Sequence, residues 1–277
     1  MPTQTLTFSN AQGTALAAKL DLPEGPPRAH AVFAHCFTCS KESKAAAFVS
    51  QALATRGIAT LRFDFTGLGQ SDGDFADSSF SANVGDLLAA VDHLRLHHAA
   101  PRILIGHSLG GAAVLVAAAH VPEARAVVTI GAPCDPAHVK HLFAAGHDDI
   151  AAQGEALVNI GGRPFRIRRE FVEDLERQTN AQSIATLRKA LLVMHAPRDA
   201  TVSIDNAAEI FTRAKHPKSF VSLDDADHLL SRRDDAAYAA EVIAAWASRY
   251  VDAAGASAGV PAASVEGTMG SGAQQQR

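Results

Sequence analysis

A serine framed by glycines is the residue whose surroundings point most directly to chemistry. Gly106-His107-Ser108-Leu109-Gly110 matches the pattern G-x-S-x-G. A predicted strand, Arg102 to Gly106, precedes Ser108, and a predicted helix, Leu109 to Val121, follows it. At a sharp strand-to-helix turn a serine hydroxyl projects above the sheet, and the flanking glycines leave room for the tight crossing. The helix N-terminus favours negative charge that develops nearby. We therefore predict that Ser108 is a nucleophile.

A serine hydroxyl needs a general base at neutral pH, and 13 histidines compete for that role. In an open parallel sheet, active groups gather at the carboxyl ends of the strands. His228 lies in "DDADHLL", just after the predicted strand Ser219 to Leu223, whereas His216 precedes that strand at its amino end. His195 also ends a strand, but it is better explained as part of a turn. The sequence predicts His228 as the base.

The third group should be a carboxylate that orients the base. Asp199 in "APRDATV" lies beyond the carboxyl end of the predicted strand Ala190 to Met194. Asp205 is expected to start the next helix. Three further aspartates are too close in sequence to His228 to reach round its ring: Asp224, Asp225 and Asp227. Asp199 is the predicted acid, and the chain order Ser108, Asp199, His228 is typical of a nucleophile at a strand-to-helix turn.

Two cysteines in "AHCFTCSK" offer a competing chemistry. Cys36 and Cys39 have the C-x-x-C spacing of a thiol oxidoreductase, which would need a low-pKa thiolate near a helix N-terminus. A zinc site would need four ligands and would draw in His35 or Cys134. We favour small residues lining a loop, and keep the redox and zinc interpretations as alternatives.

The elements that position these residues alternate between strand and helix. The predicted strands are Thr3 to Phe8, Leu16 to Leu22, His30 to Ala34, Ile58 to Phe65, Arg102 to Gly106, Ala126 to Ile130, Ala190 to Met194 and Ser219 to Leu223. The predicted helices are Ala45 to Arg56, one from Ser81, Leu109 to Val121, Ile204 to Arg213 and Ala236 to Val251. This alternation predicts an α/β fold, with an edge hairpin and a mostly parallel central sheet that carries helices on both faces.

Two segments interrupt the alternation. From about 134 to 188 we expect a small cap insertion, with a hairpin around Gly161-Gly162 and an exposed helix in "REFVEDLERQ". Residues 252–277 are rich in Gly, Ala and Ser and are predicted to be a disordered tail or linker, which leaves 1–251 as one domain. The segment "DFTGLGQSDG" is expected to form a turn beside the site, anchored by Asp64 and Ser71.

Composition excludes several classes of partner. The chain has 277 residues and a formal net charge of -4, which argues against nucleic-acid binding. We find neither a signal peptide nor an apolar run long enough to span a bilayer, and three cysteines fit a reducing compartment. We expect a cytoplasmic protein without a membrane partner; its oligomeric state cannot be read from the sequence.

The motifs "GHSLGG", "FDFTGLGQSDG", "APRDATV" and "DADHLL" resemble those of α/β-hydrolases over roughly Phe8 to Val251. The segments "FAHCFTCSK" and "HPKSFVSLDDADHLL" resemble the hydrolase half of bacterial proteins fused to an OsmC-like domain, whose peroxide-reducing half has no counterpart here. The resemblance implies an oxyanion hole formed by the backbone N–H groups of Phe37 and Leu109. Cys36 then occupies a position where the family usually has glycine, which puts the local backbone angles in question.

The predicted function is a serine hydrolase of carboxylesterase type. Ser108 would form an acyl-enzyme with a small-molecule acyl or ester substrate, with no cofactor and no metal. Two alternatives stay open. A cofactor-free perhydrolase would use the same three residues with peroxide in place of water, and a binding or scaffolding module would carry them without catalysis.

Overall fold

The computed structural model describes residues 1–160 and 162–252. Within these ranges the strands are β1 (Thr3–Ser9), β2 (Ala15–Asp21), β3 (Ala29–Ala34), β4 (Ile58–Phe63), β5 (Ile103–His107), β6 (Ala126–Ile130), β7 (Glu155–Ile160), β8 (Arg163–Arg168), β9 (Ala190–His195) and β10 (Lys218–Ser222). The α-helices are α1 (Lys44–Thr55), α2 (Phe80–His97), α3 (Leu109–Ala117), α4 (His147–Gln153), α5 (Arg169–Arg177), α6 (Ala181–Ala185), α7 (Asp205–Arg213) and α8 (Arg233–Val251). Short 3-10 helices cover Phe75–Asp77, Ala118–His120 and Pro136–Gly146.

Eight strands form one central sheet in the order β1-β2-β4-β3-β5-β6-β9-β10. The antiparallel hairpin β1-β2 lies at one edge, and β2 also pairs antiparallel with β4. The five remaining pairings of this sheet are parallel. The residues of β5, β6 and β9 are all buried, as continuous apolar strands covered on both faces should be. The predicted α/β class, the mostly parallel sheet and the edge hairpin are confirmed.

Helices cover the two faces of this sheet with separate apolar clusters. On one face α1 and α8 contribute Val49, Leu53, Ala240 and Ile243. On the other face α2 and α3 pack with the sheet and bury side chains that include Leu87. Burial of these aliphatic side chains is the main favourable term for folding.

Three predicted boundaries were wrong by more than one residue. The last helix, predicted to begin at Ala236, begins at Arg233. The helix from Leu109 ends at Ala117 and continues only as a 3-10 turn, because Pro122 disfavours the helical conformation of the residue before it. The strand predicted to end at Phe65 ends at Phe63. There the chain turns, and the carbonyl of Phe65 accepts the Leu68 N–H at 2.9 Å.

Between β6 and β9 the chain forms the insertion that interrupts the alternation. β7 and β8 pair antiparallel, and α5 follows directly, so the predicted hairpin and helix are confirmed. Buried Phe143, Phe171 and Leu175 join the apolar cluster of α2 and α3, which holds the insertion against that face. Whether this segment acts as a cap stays a prediction. Apart from Asp252, the predicted tail lies outside the described residues.

Candidate active site

Ser108 stands at the turn between β5 and α3, in a strained backbone conformation. Its φ is 54° and its ψ is -124°, and its N–H donates to the carbonyl of Ile130 at 2.8 Å. A Cβ added at Gly106 would stand 2.2 Å from the carbonyl oxygen of Gly110, and one added at Gly110 would stand 2.3 Å from that of Ala34. Both glycines are therefore required by close backbone contact, and Ser108 is held at the carboxyl end of β5.

The structure brings the three predicted side chains together from three loops. The Nε2 atom of His228 lies 3.0 Å from the Ser108 hydroxyl oxygen, and its Nδ1 atom lies 2.7 Å from Oδ2 of Asp199. These residues follow β5, β9 and β10, whose carboxyl ends meet at one edge of the sheet. The hydroxyl, imidazole and carboxylate form one hydrogen-bonded chain.

The carboxylate of Asp199 is held on both of its oxygens. Oδ1 accepts the N–H groups of Thr201 (2.8 Å) and Val202 (2.9 Å), which leaves Oδ2 for His228. Burial alone would raise the pKa of Asp199, but the hydrogen bonds from His228 and these amides lower it below its ordinary value. Asp199 is therefore ionised at neutral pH and can stabilise a positive charge on His228.

His195 supports this loop and does not reach the serine. Its Nε2 atom lies 2.8 Å from the carbonyl of Val202, which closes the turn that carries Asp199. Burial lowers the pKa of His195, so its ring is neutral and Nε2–H donates to that carbonyl.

The loop after β3 lies against the start of α3. His35, Cys36 and Phe37 line a small cavity together with Leu109 and Gly110. Across residues 1–160 and 162–252, the backbone N–H groups of Phe37 and Leu109 have no protein acceptor. Leu109 directly follows Ser108 in the chain, and free backbone donors near an attacking hydroxyl are what a developing oxyanion requires.

A buried ion pair anchors the end of this loop. Lys41 donates to the carboxylate of Asp64 through both its backbone N–H (2.6 Å) and its ammonium group (2.5 Å). The hydroxyl of Ser71 donates to the Asp64 carbonyl at 2.6 Å and accepts the Ala17 N–H at 2.9 Å. The predicted anchoring roles of Asp64 and Ser71 are confirmed, whereas Lys41 was not foreseen as the partner.

Comparison with known proteins assigns the chain to a family. A family model described as serine aminopeptidase, S33, matches residues 25–151. The esterase domain of a Rhodothermus marinus protein is 52% identical, over 91% of this chain and 100% of that one, with a TM-score of 0.75. Mouse alpha/beta hydrolase domain-containing protein 10 shares the fold, with a TM-score of 0.72 and 22% identity over 89% of this chain and 99% of that one. The chain belongs to the α/β-hydrolase superfamily.

Other relatives of this α/β-hydrolase are less similar to it than the Rhodothermus marinus domain. Est1E from Butyrivibrio proteoclasticus, solved with bound ferulic acid, is 22% identical over 89% of this chain and 99% of its own, with a TM-score of 0.72, and shares the fold. The mitochondrial palmitoyl-protein thioesterase ABHD10 of mouse is 28% identical over 65% of this chain. The human ABHD10 protein is 41% identical over 27% of this chain. The chain spans 62% of the mouse protein and 23% of the human one in these matches.

The two cysteines of the loop after β3 differ from the expectation. Cys36 and Cys39 are joined in a disulfide, with their Cα atoms 5.3 Å apart, and are not two separate small side chains. Cys36 needs no glycine-like conformation in this α/β-hydrolase, because the positive φ of the loop, 59°, falls at Thr38 instead. The C-x-x-C spacing was the signal for this pairing, but it equally fitted the other interpretations.

Sequence reasoning also missed two residues that shape the site. His107 donates to the backbone of His228 (2.6 Å between Nε2 and the carbonyl oxygen) and lies inside the very motif that identified Ser108. Gly131 follows β6 with a φ of 55°, and a Cβ there would stand 3.3 Å from Oδ2 of Asp199. A glycine at the carboxyl end of a central strand was its only signal.

Aromatic rings gather around Phe37. The rings of Phe75 and Phe171 each lie 5.6 Å from it, centroid to centroid, and Phe143 lies at 6.5 Å. Phe143 and Phe171 belong to the insertion, so that segment supplies apolar rings that pack against Phe37 in the loop after β3.

Proposed function

We propose that the protein is a serine hydrolase of carboxylic esters in which Ser108, His228 and Asp199 act as a catalytic triad. The observation that supports this proposal is the hydrogen-bonded chain from Asp199 to His228 (2.7 Å) and from His228 to Ser108 (3.0 Å). The esterase domain from Rhodothermus marinus, at 52% identity, supports ester hydrolysis. No cofactor is required by this chemistry.

The reaction begins with attack of the Ser108 oxygen on the ester carbonyl. His228 takes the hydroxyl proton at Nε2, and ionised Asp199 holds the imidazole by Nδ1–H and stabilises the imidazolium. The carbonyl oxygen becomes an oxyanion, which accepts hydrogen bonds from the N–H groups of Phe37 and Leu109. His228 then returns the proton to the leaving alkoxide, and an acyl-enzyme remains.

Water completes the cycle in a second half-reaction. His228 removes a proton from the water as it attacks the acyl carbonyl, and gives that proton to Ser108 as the carboxylic acid departs. The rings around Phe37 favour an apolar acyl group next to the loop after β3, because burying apolar surface there is favourable. A series of p-nitrophenyl esters of increasing acyl length measures that preference.

The decisive experiment replaces the nucleophile. Ser108→Ala should abolish turnover of p-nitrophenyl acetate, whereas Ser50→Ala removes a buried hydroxyl in α1 and should leave turnover unchanged. Circular dichroism checks that both variants are folded. Full activity in Ser108→Ala would overturn the assignment.

Two readouts separate the alternatives. A perhydrolase would form peracid from acetate and hydrogen peroxide on the same residues, and a non-catalytic module would not react with a fluorophosphonate probe. We expect rapid labelling by the probe and hydrolysis in excess over peracid formation. The cytoplasmic location expected from the sequence rested in part on unpaired cysteines, and the Cys36–Cys39 disulfide removes that argument. Across residues 1–160 and 162–252, no helix is long and apolar enough to cross a bilayer.

A further inference from the structure

The disulfide between Cys36 and Cys39 encloses Phe37, whose backbone N–H is a proposed oxyanion donor. The bond joins residues three apart in sequence, so its ring contains only Phe37 and Thr38 between the cysteines. Inside this ring the Cys39 N–H donates to the Cys36 carbonyl at 3.1 Å. The direction of the Phe37 N–H therefore depends on a turn closed by both a covalent bond and a hydrogen bond.

The turn holds a conformation that the backbone does not favour. Thr38 has a φ of 59°, and a β-branched residue with positive φ is a genuine outlier that persists only where surrounding contacts hold it. One such contact comes from the insertion, where the Arg163 guanidinium donates a hydrogen bond to the Thr38 carbonyl. The disulfide is the other, and it acts directly on the residues flanking Phe37.

The neighbouring segments are fixed without the disulfide. On the amino side, β3 pairs with β4 and β5, and on the carboxyl side Lys41 is held by buried Asp64. A cross-link that closes so short a loop removes less entropy from the unfolded chain than one that closes a long loop. Opening the bond should therefore release the turn and leave the fold in place.

A reductant can reach one end of this bond. Cys36 is buried, whereas Cys39 is partly exposed. A dithiol attacks the sulfur of Cys39, which forms a mixed disulfide and releases the Cys36 thiolate; the second thiol then closes the reagent's own disulfide and releases Cys39. Two electrons and two protons pass to the protein, which then carries two thiols, and an oxidant reverses the exchange.

We propose that the Cys36–Cys39 disulfide is a positioning element that aims the Phe37 N–H at the oxyanion, so that turnover is fast only while the bond is intact. The inference rests on the serine-hydrolase function proposed above. In this proposal the Phe37 N–H donates to the transition state. Reduction of the disulfide should therefore lower kcat and leave KM close to its value in the oxidised protein.

The test compares oxidised and reduced protein on p-nitrophenyl acetate. The protein is reduced with dithiothreitol, desalted without oxygen and assayed, and a portion is then reoxidised with oxidised glutathione. We expect kcat to fall by about tenfold to a hundredfold, somewhat less than the loss of a complete oxyanion donor, and to recover on reoxidation. Thiol titration after denaturation should give one thiol, Cys134, before reduction and three after it.

Matched variants assign the effect to this bond. Cys39→Ser should have low kcat with or without the reductant, whereas Cys134→Ser, which removes the buried free thiol, should keep both full activity and the response. The thermal midpoint of reduced wild-type protein should stay close to that of oxidised protein, so a fall of kcat and midpoint together would contradict a positioning role.

The measurements distinguish a failure of the disulfide's positioning role from a failure of the proposed serine-hydrolase function. Equal kcat in both states, with three thiols titrated after reduction, would overturn the inference and leave the esterase intact. Three thiols in the untreated protein would overturn it as well. Oxidised protein that hydrolyses no ester would remove both proposals.

Discussion

The imidazole of His107 donates a hydrogen bond to the backbone carbonyl of His228, with 2.6 Å between Nε2 and the oxygen. Burial, followed by the nearby His228, lowers the pKa of His107 to about 3, so the ring is neutral at pH 7. Because a carbonyl can only accept, the proton of this neutral ring lies on Nε2. The residue before Ser108 thus fixes the loop that carries the proposed base.

Stability should fall in mild acid because two buried histidines resist protonation. Burial lowers the pKa of His35 to about 4, and that of His107 is about 3, whereas an unfolded histidine has its ordinary value of 6.5. Between about pH 4 and 6.5 the unfolded chain binds protons that the native protein does not, so the free energy of unfolding decreases as the pH falls. Above pH 6.5 these groups contribute no slope. Urea denaturation from pH 7.5 to 4.5 measures the effect.

A pair of variants shows whether these residues cause the slope. His107→Gln keeps a donor near His228 but removes the titrating group, so its stability should depend less steeply on pH below 6.5. His120→Gln changes an exposed histidine and should keep the wild-type slope. A slope in His107→Gln as steep as that of the wild type would contradict the prediction.

Features with local periodicity or a fixed spacing could be read from the sequence. The strand-helix alternation and the G-x-S-x-G motif are set by neighbours in the chain, so the sheet and the position of Ser108 were predictable. Asp199 and His228 followed from one topological rule about strand ends. The contacts of His107 with His228 and of Lys41 with Asp64 join residues far apart in sequence, and no local pattern encodes them.

Removing the charge of Asp199 should nearly abolish turnover without unfolding the protein. In Asp199→Asn the side-chain oxygen can still accept the Thr201 and Val202 N–H groups, but the amide no longer holds the correct tautomer of His228. We expect kcat to fall by about 10⁴-fold, as for the equivalent change in a serine protease triad. Asp205→Asn, at the exposed start of α7, should have wild-type kcat. A loss of less than tenfold in Asp199→Asn would contradict its role.

The buried pair of Lys41 and Asp64 should be costly to break. Their side chains are 1% and 0% exposed, so Lys41→Met leaves a buried carboxylate without its cation. Breaking such a pair costs about 3–5 kcal/mol, measured by urea denaturation. Arg56→Met removes an exposed pair with Glu241 and should cost about 0–1 kcal/mol. Similar losses in the two variants would show that burial does not govern the Lys41 pair.

Replacing Gly131 should slow the reaction, because its lack of a side chain leaves space for Asp199 and His228. In Gly131→Ala the new Cβ would stand 3.3 Å from Oδ2 of Asp199 and 3.4 Å from Nδ1 of His228, so this pair must shift by a few tenths of an ångström. We expect kcat to fall by about tenfold to a hundredfold, because small misplacements of catalytic groups are costly.

The matched control separates that contact from the backbone strain. Gly13 also has a positive φ, 80°, but no atom of the described residues lies within 4 Å of a Cβ placed there. Both alanine variants should lose about 1–2 kcal/mol of stability, because each forces alanine into a left-handed conformation. Only Gly131→Ala should lose kcat on p-nitrophenyl acetate. Equal kcat in the two variants would mean that the hydrogen bond between Asp199 and His228 tolerates the displacement, and that Gly131 is required by its backbone angle alone.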